Sequence, residues 1–99
     1  MQVRFTTQPG SGDVLAGLLL EAAAGLDDVS ECLLYAVSRD PEDDDVLWVS
    51  EVWTDQDAHT ASLQHPRARA TIERALPLLA GPPEATHLLP LGGKGLPLP

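Results

Sequence analysis

The sequence predicts a single α+β domain of the ferredoxin-like type, a four-stranded antiparallel sheet with its helices on one face. Three observations predict it. The hydrophobic pattern runs strand, helix, strand, strand, helix pair, strand. The two middle strands are joined by a link too short for anything but an antiparallel hairpin. The chain has 99 residues, which fit one compact domain and leave no room for a second.

Val3 and Phe5 alternate with Arg4 and Thr6, the pattern of a strand covered mainly on one face. Pro9-Gly10 stops it. Ser11 can cap the helix that follows, with Asp13 favourable in the first turn. That helix is expected over residues 12–24, where Val14, Leu15, Leu18, Leu19 and Ala22 form a broad apolar stripe that Leu26 extends. Gly25 is placed to end it.

Two strands are expected over residues 30–39 and 45–54. The acidic stretch Asp40-Pro41-Glu42-Asp43-Asp44-Asp45 reads as a solvated turn, since it lacks the glycine and spaced ligands of a calcium loop. Asp55 then caps a short helix to about residue 64. Pro66 breaks it and suits the first position of a new helix carrying Ala68, Ile72, Ala75, Leu76 and Leu79 at helical spacing. Pro77 should kink or loosen its end. A last strand is expected over residues 85–91. The organisation is therefore a domain over 1–91 and a loose tail over 92–99, whose Gly92-Gly93-Lys94-Gly95 has the wrong spacing for a phosphate loop.

Neither middle strand has a face suited to water. Leu47, Val49, Glu51 and Trp53 alternate with Val46, Trp48, Ser50 and Val52, and Leu33, Tyr35 and Val37 alternate with Cys32, Leu34 and Ala36. An antiparallel sheet with one wet face alternates apolar with polar. The helices suffice for one face only, so the other calls for a cover, most simply the same face of a second copy about a two-fold axis. A homodimer through the sheet face is the expectation.

Composition excludes several partners. Fifteen acidic residues against six Lys and Arg give a net charge of -9, which a nucleic-acid backbone or an anionic membrane repels. No run of 18 apolar residues suggests a membrane span. Cys32 is the one cysteine, which rules out an intrachain disulfide framework, and as a lone thiol it reads as a small core residue. The start of the chain reads as a strand, without the layout of a signal peptide, and a cytoplasmic location is expected.

The segment Glu51-Val52-Trp53-Thr54-Asp55-Gln56-Asp57-Ala58, followed by a helix and His65-Pro66, resembles the Glu-x-Trp signature of the antibiotic biosynthesis monooxygenases. Cys32-Leu33-Leu34-Tyr35 ahead of an acidic turn, and Gln8-Pro9-Gly10 ending the first strand, are also similar to that family. The resemblance implies a dimeric α+β barrel of two sheets packed face to face. It further implies oxygenation of an aromatic quinol or polyketide-type small molecule without metal, flavin or other cofactor. In such chemistry an electron-rich phenol or anthrone loses a proton and its anion reacts with oxygen. The protein supplies an apolar pocket, a proton acceptor and donors that hold the anion. The polar residues depart from the pattern: Ser62 and Arg67 stand where many relatives have histidine, His65 where they have serine, and Val49 where some have asparagine.

Trp53, Glu51, His65 and Arg67 are the candidate catalytic residues, with Val49, Tyr35, Ser62, Leu63 and Ile72 as candidate substrate contacts. Trp53 serves equally as a pocket wall or as a core residue whose indole N–H needs a partner. Glu51 suits a proton acceptor if partly buried, or a structural ion pair with an arginine such as Arg4. Arg67 can hold an anionic group or belong with Arg69 and Arg74 to a solvated helix face. His59 and His65, six apart, lack the same-face spacing of a helical metal pair, and both are expected at the surface. His87 is expected exposed or at the dimer seam. The alternative to an enzyme is a non-catalytic dimer of the same fold that binds a small ligand or another protein.

Overall fold

A computed structural model describes residues 1–96; of the expected tail, residues 97–99 lie outside the described residues. The elements are β1 (Gln2–Thr6), α1 (Gly12–Ala24), β2 (Cys32–Asp40), β3 (Asp43–Trp53), α2 (Gln56–Ser62), α3 (Pro66–Ala75) and β4 (Glu84–Thr86), with a 3-10 turn at Leu76–Leu78. The sheet order is β2-β3-β1-β4 and every pairing is antiparallel. This is the predicted α+β ferredoxin-like arrangement.

The core forms where α1 packs on the sheet. Leu15 and Leu19 of α1 bury against Val3 of β1 and Leu47 and Val49 of β3. Val3 and Val49 are direct partners across the ladder, so both point to the helix side. Each fully buried Leu or Val contributes roughly 1.5–3 kcal/mol by leaving water. Leu78 and Leu79, just past α3, add to this cluster, because Pro77 tightens the helix end into the 3-10 turn.

The acidic stretch is shorter as a turn than expected. Only Pro41 and Glu42 form it, because Asp40 pairs with Asp43 and β3 already begins there. Its carboxylates satisfy nearby amides: Asp40 Oδ1 accepts from Glu42 N at 2.8 Å and Asp43 Oδ1 from Asp45 N at 3.0 Å. β4 is also shorter than expected, three residues paired only with β1, and the apolar residues after it lie outside the strand.

The start of α1 is held differently from the expectation. Ser11 makes no side-chain cap bond. Instead Asp45, from the hairpin, accepts from Gly10 N through Oδ2 and from Gly12 N through Oδ1, both at 3.1 Å. These amide bonds hold its carboxyl below the usual range. Gly12 is required there, since a β-carbon would collide with the backbone carbonyl of Asp44. Gly25 ends α1 in a right-handed rather than left-handed conformation, and a side chain on it would press on Arg67.

Two expected outcomes follow from this clasp. Gly12→Ala should destabilise the fold by about 3 kcal/mol, the upper range for overpacking, in a urea melt. The carboxyl of Asp45 is lowered on folding, so its contribution is present above the ordinary aspartate range and is lost as pH falls through the folded value. Asp45→Asn should flatten that acid limb in melts recorded across pH.

Candidate functional site

The face of β3 that carries the core continues past it. Leu47 and Val49 lie under α1, and Glu51 and Trp53 extend the same face beyond that cover. There the sheet, the end of α1, and α2 and α3 enclose a cleft of about 1020 Å³. Its walls are mainly apolar, among them Phe5, Leu26, Val29, Trp53, Leu63 and Ile72.

Glu51 is the unusual group in that lining. It is 8% exposed, and its Oε1 accepts a hydrogen bond from the Trp53 indole Nε1–H at 3.0 Å. The expected ion pair with Arg4 does not form. Arg4 lies opposite Trp48 in the β1–β3 register, on the other face of the sheet, and pairs with Glu84 at 3.4 Å. What approaches Glu51 is His59 of α2, with Nε2 3.5 Å from Oε1. The imidazole also packs at a tilt on the Trp53 ring, with centroids 5.4 Å apart.

His59 therefore corrects the surface placement expected for it: its side chain is only 12% exposed. The six-residue spacing to His65 says nothing of the helix face on which His59 lies. His59 and Ser62 of α2 and its C-cap Leu63 fall at i, i+3 and i+4, on one helix face, and all three line the cleft. That periodicity with Ser62 and Leu63 is the signal in the sequence that puts His59 in the cleft.

Tyr35 stands directly across the ladder from Glu51 and lines the cleft. Burial, and then the Glu51 charge, push its phenol well above the usual tyrosine range. Cys32 is shifted the same way for the same reasons, a bulge next to Leu33 bringing it into register with Trp53.

The remaining candidates divide. Ser62, Leu63, Ile72, His65 and Arg67 all border the cleft. His65 is the N-cap of α3, its Nδ1 accepting from Arg67 N at 3.1 Å. Arg67 lies over Gly25 at the end of α1, and among the described residues no carboxylate pairs with it. Arg74 pairs with Glu21 at 3.1 Å. Val49, expected as a substrate contact, is 1% exposed in the core and does not border the cleft, because α1 covers that part of β3. Among the described residues no group of three or more His, Cys, Asp or Glu side chains is arranged to hold a metal ion. No helix among them is long and apolar enough to cross a membrane.

Tyr35 is the chain's one tyrosine, so its ionisation can be followed by absorbance without interference. The raised phenol should ionise only beyond the usual range, with stability falling as pH rises above the unfolded value. Glu51→Gln should bring the transition down toward the ordinary value.

The sequence profile of the family described as Antibiotic biosynthesis monooxygenase matches residues 1–74. A Chloroflexus aurantiacus J-10-fl protein, named as a candidate antibiotic biosynthesis monooxygenase, is 34% identical with a TM-score of 0.81, over 96% of this chain and 94% of its own. Similarly named structures from Deinococcus radiodurans (22% identity, TM-score 0.72, 93% and 96% covered) and Caulobacter crescentus CB15 (23%, 0.77, 84% and 79%) share the fold. Comparison with curated proteins gives no match. The profile spans three-quarters of the chain, including the Glu51 and Trp53 strand and the helices over the cleft, and the chain belongs to the antibiotic biosynthesis monooxygenase family.

Proposed function

We propose that this protein is a cofactor-independent monooxygenase for an aromatic quinol or polyketide-type small molecule, and that it works as a homodimer. The observation that carries the reading is a shielded carboxylate, Glu51, set beside Trp53 in a mainly apolar cleft. The cleft's volume, about 1020 Å³, suits a fused-ring substrate.

The chemistry such a cleft can promote begins with loss of a proton from a phenolic hydroxyl or an activated ring CH₂. The electron pair left behind reduces oxygen, a C–O bond forms, and the peroxide loses water to leave a carbonyl. For an anthrone, CH₂ and O₂ become C=O and H₂O. Trp53 supplies a flat aromatic face and Leu63 and Ile72 further apolar contact, with Tyr35 and Ser62 alongside. Arg67 and the capping His65 border the cleft where α2 gives way to α3, and in this reading they meet the oxyanion. Val49 supports this from the core and touches no substrate.

The dimer is supported by the outer face of the sheet. Leu34 is 40% and Trp48 36% exposed there, on adjacent strands. Val46 needs no partner, being buried within its own chain. Beyond β4, Leu88 and Leu89 are exposed apolar residues beside Leu34 and Val52 on the same face. A second copy would cover both features.

An oxygen electrode tests the activity. Uptake should appear with anthrones, naphthohydroquinones or benzohydroquinones and chelated protein, and Trp53→Ala should lower kcat/KM by about 100-fold. No uptake across that panel removes the enzyme reading. Melting shifts without turnover would then favour a ligand-binding dimer. Sedimentation should show a dimer that Trp48→Asp weakens by at least about 10-fold, the loss of one buried side chain.

A further inference from the structure

We propose that His59 is the proton acceptor of this cleft, with Glu51 and Trp53 as the residues that position and charge-balance it. The assignment rests on the reading above only in taking the ligand to be an ionisable aromatic. Its basis is a geometry no other group in the cleft has. The imidazole packs against Trp53 on one side, and Nε2 lies 3.5 Å from Glu51 Oε1. Both side chains are close to fully shielded, at 12% and 10% exposure. Nδ1 makes no hydrogen bond among the described residues, and no buried side-chain nitrogen or oxygen there lacks a partner. Nδ1 therefore keeps accessible surface on a residue that lines the cleft.

That arrangement is a base with its orienting carboxylate behind it. Glu51 is fixed by the Trp53 indole, so it cannot turn freely toward a ligand. Tyr35, from β2, is kept protonated by burial and by Glu51, Cys32 is pushed the same way, and His65 spends Nδ1 on the cap of α3. Of the other carboxylates in the lining, Glu21 is paired with Arg74, and Asp28 and Glu31 are exposed to water, without the shielding that Glu51 and His59 share. In the step itself, a ligand O–H breaks and its proton goes to His59 Nδ1. The electron pair stays on the ligand as a phenolate, and the imidazolium formed faces the Glu51 carboxylate. No oxidant takes part in this step.

The probe is 4-nitrophenol, whose ionised form is yellow, in buffer acidic enough to keep it neutral when free. The wild-type protein should bind it as the phenolate. His59→Gln should bind it neutral, and Glu51→Gln should give partial ionisation. Moving the base one turn, His59→Ala with Ser62→His, should restore the colour, since both positions line the cleft. With an oxidisable substrate, His59→Gln should lower kcat by about 100-fold with a smaller change in KM. A colourless wild-type complex, or equal colour in His59→Gln, overturns the assignment. Coloured binding with no oxygen uptake on any substrate sinks the oxygenase reading and leaves the base in place. Oxygen uptake unchanged in His59→Gln sinks the base and leaves the oxygenase.

Discussion

The two-residue alternation along β3 is the constraint on which the rest depends. It sends Leu47, Val49, Glu51 and Trp53 to one side of the sheet. A one-residue slip would put Trp48 into the core and Glu51 into the outer face, undoing both at once. The ladder with β1 fixes the register from one side, through Val3 against Val49 and Phe5 against Leu47. The hairpin with β2 fixes it from the other, through Tyr35 against Glu51 and Val37 against Val49.

One strand face thereby serves two purposes. Under α1 it is closed, and Leu47 and Val49 are among the best-buried residues of the chain. Beyond α1 it is left to α2 and α3, two short helices separated at Pro66 that have no buried residue of their own. Helices that fit less tightly leave the cleft, and the same strand delivers a carboxylate into it. The Asp45 clasp contributes at the opposite end, locking the start of α1 to the hairpin so that α1 lies over the correct half of β3.

Burying a carboxylate without partners is costly, and Glu51 meets that cost locally. The Trp53 indole two residues along the strand donates to it, and His59 brings a group able to carry compensating charge. Tyr35 registers the consequence across the ladder, its phenol driven upward by shielding and by the same carboxylate. The four residues form one electrostatic unit assembled from β2, β3 and α2.

The sequence by itself determined the element order, the bounds of α1, the face shared by Glu51 and Trp53, and the capping role of Asp55, whose Oδ1 accepts from Ala58 N at 2.7 Å. All of these rest on contacts within a few residues of chain, where periodicity and capping chemistry act. It also marked Ser62, Leu63 and Ile72 as residues of the cleft. Only the tertiary structure decided which partner each polar group takes. Asp45 reaches Gly10 and Gly12 across 33 or more positions, displacing Ser11 as the cap. Arg4 turned to Glu84 because strand pairing put it on the face away from Glu51. His59, read as a surface residue, came to rest on Glu51 and Trp53 because α2 folds back over the sheet. Hydrogen bonds and ion pairs are short-ranged and directional, so they are settled by which strands and helices meet, a matter that local pattern does not encode.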